Sequence, residues 1–352
     1  MIDRRTLLAG AASLALPASA QAAPGLKEIA ASKGLVFGCA AATYEFGNGD
    51  FAPTLLRDAA QLVPEYEMKR DVLEPRPGRY DFSALDRLSG FARRNGLSFR
   101  GTPLVWWHSN PPWLAPALQA RRDDRLMTGP IAALLKRYSM ASVDVVNEAV
   151  AEDGNGLRPS VWLDAFGPGY IEMAFHAARQ AAPGTRLVYN DYGCEWGSGD
   201  RIRAAHLKLL DGLLKRNAPV DALGLQGHLW AFRDRTDQRK LRDFLQAVRD
   251  RGLAVLVTEL DVDDTGGPAD IATRDRAVAD EARRFLDVAL DNPATQAVIA
   301  WNLSDRYVDA PQDWKLKLLN WRYRKTLYDA QMRRKPLWDA VARAFAGARA
   351  RY

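Results

Sequence analysis

Residues 241–261 read Leu-Arg-Asp-Phe-Leu-Gln-Ala-Val-Arg-Asp-Arg-Gly-Leu-Ala-Val-Leu-Val-Thr-Glu-Leu-Asp. The hydrophobic period changes within this stretch. Leu241, Phe244, Leu245 and Val248 share one face of a helix. Arg251-Gly252 then suits a left-handed helix cap, and 254–259 is an apolar run that ends on a carboxylate. A continuous apolar run is what a strand covered on both faces requires. The stretch therefore reads as one helix–turn–strand unit of an α/β protein.

The unit repeats in both directions. Strand-like runs occupy 35–42, 61–66, 98–105, 142–147, 186–190, 222–226, 254–259 and 297–302. Amphipathic helices are predicted between them, at 84–95, 170–182, 201–217, 241–251 and 274–291, with Asn95-Gly96 and Pro183-Gly184 as further caps. Eight strands alternating with helices, without a linker, predict a single (β/α)8 TIM barrel. A doubly wound open sheet is the alternative, but no Gly-x-Gly-x-x-Gly turn follows the first strand.

Composition narrows the chemistry. The 352 residues are 47% hydrophobic and 26% charged, a globular balance that excludes collagen, coiled coil and general disorder. Two Cys and four His leave little material for a metal cage, and no cofactor is implied. A net charge of +6 does not argue for nucleic acid. Ten Trp stand above background.

Residues 1–22 read as a secretory leader. Arg4-Arg5 precedes an apolar segment from Leu7 to Leu16, and Ala18-Ser19-Ala20 or Ala20-Gln21-Ala22 offers a cleavage site. Arg4-Arg5-Thr6-Leu7-Leu8 resembles a bacterial twin-arginine signal, which implies export to the periplasm or beyond. The mature chain, 23–352, is expected to be one catalytic barrel domain, monomeric and without a membrane anchor. Cys39 and Cys194 fall on strands one and five, across the barrel from each other, so two free buried thiols are expected.

In a barrel, polar residues at the C-terminal strand ends are the catalytic candidates. In chain order these are Glu65, His108, Glu148, Asp191, His228, Glu259 and Asp305. Glu148 and Glu259 stand out because each directly follows an apolar strand, numbers four and seven. Paired carboxylates are what glycosidic cleavage needs: one protonates the leaving oxygen and the other attacks or activates water.

The motifs carry a family resemblance. They are Glu65-Tyr-Glu-Met68-Lys69, Leu104-Val105-Trp106, Val146-Asn147-Glu148-Ala149, Asn190-Asp191-Tyr192, Gly224-Leu-Gln226-Gly-His228, Thr258-Glu259-Leu-Asp261 and Trp301-x-x-x-Asp305-Arg306-Tyr307. In that order the chain resembles glycoside hydrolase family 10, whose typical members are retaining endo-1,4-β-xylanases. The resemblance implies Glu259 as nucleophile and Glu148 as acid/base, about 5–5.5 Å apart. It implies that His228 and Asp261 hold Glu259, and that Asn147, with Gln226 nearby, binds the reacting sugar. Glu65 and Lys69 match groups that bind the next sugar. Trp106 and Trp301 match aromatic positions beneath the reacting sugar, which Tyr192 extends. Trp113, Trp162 and Trp338 are assigned to packing. The implied substrate is a β-linked polysaccharide or oligosaccharide.

Several positions depart from the family pattern. Thr102 and Trp107 replace two usual histidines, Tyr66 replaces Asn, Ser109 stands for Gln and Asp309 for Trp, with Trp314 near enough in sequence to compensate. Two further readings therefore stay open: a same-fold hydrolase of another β-glycan, such as a bacterial exopolysaccharide, and a weakly catalytic carbohydrate-binding barrel.

Overall fold

The computed structural model describes residues 23–310, 312–318 and 321–351. The predicted leader lies outside the described residues, as does the side chain of Trp314. Eight parallel strands form the barrel: β1 Val36–Ala41, β2 Gln61–Pro64, β3 Ser98–Gly101, β4 Ser142–Asn147, β5 Arg186–Asp191, β6 Ala222–Leu225, β7 Ala254–Asp263 and β8 Thr295–Ala300. Each strand pairs with the next, and β8 closes on β1 with Val36 opposite Ala297 and Cys39 opposite Ala300. This is the (β/α)8 barrel that the alternation predicts.

The strands are mostly buried because both faces are covered. Ala40, Val63, Val188, Ala222, Leu256, Ala297 and Ile299 fill the inside of the barrel. Helices cover the outside: α1 Phe51–Asp58, α2 Ser83–Arg94, α3 Arg125–Arg137, α4 Tyr170–Ala181, α5 Asp200–Lys215, α6 Gln238–Asp250, α7 Ile271–Asp291 and α8 Pro336–Gly347. On α6 the buried residues are Leu241, Phe244, Leu245 and Val248, the stripe read from sequence. Asp237 caps that helix by accepting from the Arg239 and Lys240 amides at 3.0 and 3.1 Å.

Two strands differ from expectation. The run predicted at 98–105 stops at Gly101 and resumes as Val105–Trp106, both pieces pairing with β4. Pro103 lies in the break, has no amide hydrogen and cannot donate to a ladder. Similarly, β6 ends at Leu225, and His228–Trp230 then pairs with an extension of β7 that reaches Asp263. Gly227 makes this step with φ +79°, a left-handed conformation that glycine adopts without strain.

Cys39 and Cys194 are free and buried. Burial pushes both thiols well above their ordinary range. Trp162 and Trp338 are packed into the core, and Trp113 is half-buried with its indole N–H on the Glu74 carbonyl at 3.1 Å. A buried pair joins β3 and β4: Arg100 Nη1 donates to Asp144 Oδ2 at 2.9 Å, with a second contact from Nη2 to Oδ1.

Candidate active site

The end of β4 turns abruptly. Glu148 has φ +54°, rare for a non-glycine residue, and its amide donates to Asn190 O at 2.9 Å. Glu259 lies within β7, and its amide donates to Gln226 O at 2.8 Å. Each carboxylate residue is only 9% exposed.

Four N–H groups converge on Glu148. Trp106 and Trp107 donate through their indole nitrogens to Oε2 at 2.8 and 2.6 Å. Gln226 Nε2 and Asn147 Nδ2 donate to Oε1 at 3.0 and 3.3 Å. The shell therefore fixes the carboxyl in one orientation. On Glu259, Asn190 Nδ2 donates to Oε1 at 2.8 Å, and the same nitrogen donates to Asn147 Oδ1 at 2.8 Å. Two side-chain amides, Asn147 and Asn190, thus link the two carboxylates. Thr258 Oγ1 fixes the Asn190 amide by donating to its oxygen at 2.6 Å. A Cβ on Gly224 would occupy the space of that oxygen, so glycine is required there.

His228 and Asp261 flank Glu259. His228 Nε2 is 3.3 Å from Glu259 Oε2, and its Nδ1 is 2.8 Å from Asp261 Oδ1. Burial opposes a charged imidazole, but Asp261 and Glu259 outweigh it and push His228 well above its ordinary value. Burial likewise opposes the Asp261 charge, yet Lys325 and His228 bring that carboxyl down to about 2.

Glu65 and Lys69 lie on the β2 side of the mouth. Asn302 Nδ2 donates to Glu65 Oε1 at 3.1 Å, while Glu65 Oε2 is buried without a protein partner. The Lys69 ammonium sits 4.4 Å from the centre of the Tyr66 ring and 5.7 Å from that of Trp106. Burial pushes the Glu65 carboxyl up to about 7, against the Asn302 hydrogen bond and the Lys69 charge. The folded protein thus keeps a proton that the unfolded chain releases above its ordinary 4.5. Stability is accordingly lost as pH rises from that value through 7. Glu65→Gln is expected to gain on the parent by up to about 3 kcal/mol between pH 5 and 8. Chemical denaturation at both values checks this, and equal differences would contradict it.

Trp301 follows β8, half-buried, and packs against the inner barrel cluster. Tyr192 follows β5 and accepts from Arg158 Nη2 at 2.9 Å while donating to Glu152 at 2.7 Å. Arg158 also donates to the Glu148 carbonyl at 3.1 Å and lies 5.1 Å from the Trp107 ring centre. All the candidate residues named from sequence, except Asp305 and Asp191, thus fall around one mouth, with His108 at its outer edge. Asp305 instead pairs with Lys335 and Arg324 at 2.8 and 3.3 Å. His108 is exposed, contacts Ser109 Oγ at 3.0 Å and sets its ring 5.1 and 5.2 Å from those of Trp106 and Trp107. Asp191 is buried behind the mouth, accepting from Tyr189 OH at 2.6 Å and the Val150 amide at 3.1 Å.

Sequence reasoning missed Asn190, Trp107, Arg158 and Lys325. Asn190 stands in a motif that by itself assigns it no role, and in the sequence Trp107 shows only the loss of a histidine. The other departures are also placed. Thr102 is buried, with its hydroxyl donating to Pro64 O at 3.1 Å. Asp309 is exposed, near enough to raise the Tyr44 and Tyr66 hydroxyls further after burial and Glu65 have done so.

Chemically, the arrangement offers two buried carboxylates with different surroundings. One is ringed by neutral N–H donors; the other is backed by an imidazole–carboxylate pair. Known proteins share this framework. The sequence model of glycosyl hydrolase family 10 matches residues 25–344. Endo-1,4-beta-xylanase 1 of Humicola insolens is 30% identical over 355 residues, covering 98% of this chain and 79% of its own. Xylanase 10B of Thermotoga petrophila, solved with xylobiose, superposes with a TM-score of 0.79 at 27% identity, covering 92% of this chain and 98% of that one. The endo-1,4-beta-xylanase XylE of Penicillium canescens gives 0.81 at 27% identity over the same shares. The chain belongs to glycosyl hydrolase family 10 and is a glycoside hydrolase.

Proposed function

We propose that the protein is a retaining endo-1,4-β-xylanase with Glu259 as nucleophile and Glu148 as acid/base. The observation that carries this reading is the pair of buried carboxylates, Glu148 just after β4 and Glu259 within β7, joined through Asn147 and Asn190. In the first step a Glu259 oxygen bonds to the anomeric carbon as the bond to the leaving oxygen breaks. Glu148 gives its proton to that oxygen. In the second step Glu148 takes a proton from water, which attacks the same carbon and frees Glu259.

The surroundings fit this division of labour. Asn190 and His228 contact separate oxygens of Glu259 and restrict its rotation. Asn147 lies between the carboxylates with Gln226 beside it, and its role in this reading is to bind the 2-hydroxyl of the reacting sugar. Trp106, Trp301 and Tyr192 present aromatic surface to the sugars. The unpartnered Glu65 Oε2 is a ready acceptor for a hydroxyl of the next sugar, with Lys69 as donor. The relatives named as xylanases, and the neighbour solved with xylobiose, support xylan as substrate. Residues 23–352 act as one catalytic barrel domain, and residues 1–22 direct export, in keeping with a polymeric substrate outside the cell.

The test is product analysis of the purified mature protein on xylan, mixed-linkage β-glucan and acidic exopolysaccharide. Xylan is expected to give the highest initial rate, by at least about tenfold, with oligosaccharides as first products. Faster cleavage of either alternative, or no reducing ends from xylan, overturns the proposal.

A further inference from the structure

Lys325 belongs to the segment between β8 and α8, far from the motifs around the mouth. Its carbonyl accepts from the Val262 amide of β7 at 3.3 Å, which ties the segment to the strand that bears Glu259 and Asp261. Its ammonium lies 3.0 Å from Asp261 Oδ2 and 5.3 Å from the centre of the Tyr323 ring. The other oxygen of Asp261 meets His228 Nδ1 at 2.8 Å, and His228 Nε2 meets Glu259 Oε2 at 3.3 Å. Lys325, Asp261, His228 and Glu259 therefore form a row of contacts with charges of alternating sign.

We propose that Lys325 is a positioning residue for the hydrolysis: it pins one oxygen of Asp261, so that the other turns His228 squarely onto Glu259. The inference rests on the reading of Glu259 as nucleophile. A carboxylate held at one oxygen can turn about its Cβ–Cγ bond, and the imidazole it orients turns with it. Held at both oxygens, it fixes the ring. The mostly buried ammonium, with its side chain 22% exposed, also offsets the negative charge of Asp261 where water screens poorly.

Other charged groups face the row. Glu195, on the loop after β5, acts on His228 and accepts from the Gly227 amide at 3.1 Å. Burial pushes its carboxyl up to about 7. Asp263 of β7 acts on Lys325, as does the Tyr323 hydroxyl. His228 takes one oxygen of Asp261 and Lys325 takes the other.

The experiment compares Lys325→Met and Lys325→Arg with the parent. Turnover is measured on an aryl β-xylobioside whose good leaving group makes little demand on Glu148. The imidazole N–H resonances of His228 are followed by NMR in the resting protein. Lys325→Met is expected to lower kcat about tenfold with KM within about twofold, because misorientation of the attacking group is felt in the transition state. The His228 resonances should move. Lys325→Arg should restore most of the rate and the parent resonances, since a guanidinium reaches the same oxygen.

Parent-like kcat and resonances in folded Lys325→Met overturn the proposal. So does a loss of rate that arginine fails to rescue while the resonances stay in place, the mark of a merely structural role. If the methionine variant does not fold, Lys325→Gln is measured instead, with a smaller loss and a smaller movement expected. If the parent does not cleave the xylobioside, the functional reading fails separately. The resonances of the resting protein still decide whether Lys325 orients the ring.

Discussion

Glu259→Ala is expected to slow turnover about 10^5-fold while leaving KM for xylan within a fewfold of the parent, because the residue forms the covalent bond rather than gripping the chain. Its removal leaves the Asn190 amide and the His228 imidazole facing the space of a missing carboxylate. That space is open to a small anion. Azide should enter it and attack the anomeric carbon from the side of the lost nucleophile. On a substrate with an activated leaving group, the variant should then regain rate and give an inverted glycosyl azide. The rate constants and the NMR spectrum of the azide product check this. More than about 1% residual activity without azide, or a retained azide product, contradicts the role of Glu259.

Glu148→Ala should depend on the leaving group. With xylan the departing oxygen is a poor leaving group and needs a proton, so a loss of about 10^3-fold is expected. With a dinitrophenyl xylobioside the leaving group departs unaided. The bond-breaking step should then stay within about tenfold of the parent, and hydrolysis of the covalent intermediate becomes slow. A burst of dinitrophenol followed by a slow steady rate is the expected trace. Equal losses on both substrates would contradict the assignment. The substitution also strands the indole N–H groups of Trp106 and Trp107 and the amides of Gln226 and Asn147. A modest drop in stability should accompany it.

How legible all this is in sequence depends on the range of the interactions. The α6–β7 unit is legible because both its periods are local: the buried stripe of α6 and the apolar β7 run each show within a dozen residues. The apolar runs that lead into Glu148 and Glu259 are legible for the same reason, although β7 continues past Glu259 to Asp263. The break after Gly101 is masked in the sequence although Pro103 signals it, because Leu104-Val105-Trp106 continues the apolar run. Asp305 shows the opposite error. It occupies a strand-end position, but its field is taken by Lys335 and Arg324 from distant parts of the chain.

Within the site, the hidden parts are those built across strands. Asn190 links the two carboxylates only because Thr258 holds its oxygen and Gly224 leaves it room, contacts made 68 and 34 residues away in the chain. Trp107 replaces an expected histidine, yet its indole donates to Glu148 at 2.6 Å, so the position supplies an N–H by other means. The sequence marks Trp106 as a stacking surface, and its indole N–H also holds Glu148. Thr102 removes a second histidine, and its hydroxyl turns instead to the Pro64 carbonyl. The sequence shows the loss in each case, while the compensation is tertiary.

The central claim is that two carboxylates act in succession, one as nucleophile and one as acid/base. Its most direct measurement is the anomeric configuration of the first-formed product, followed by proton NMR within the first minutes of xylooligosaccharide cleavage, before mutarotation. The account predicts the β-anomer first, with the α-anomer growing in later. The α-anomer first would mean single displacement by water, and would contradict Glu259 as the nucleophile.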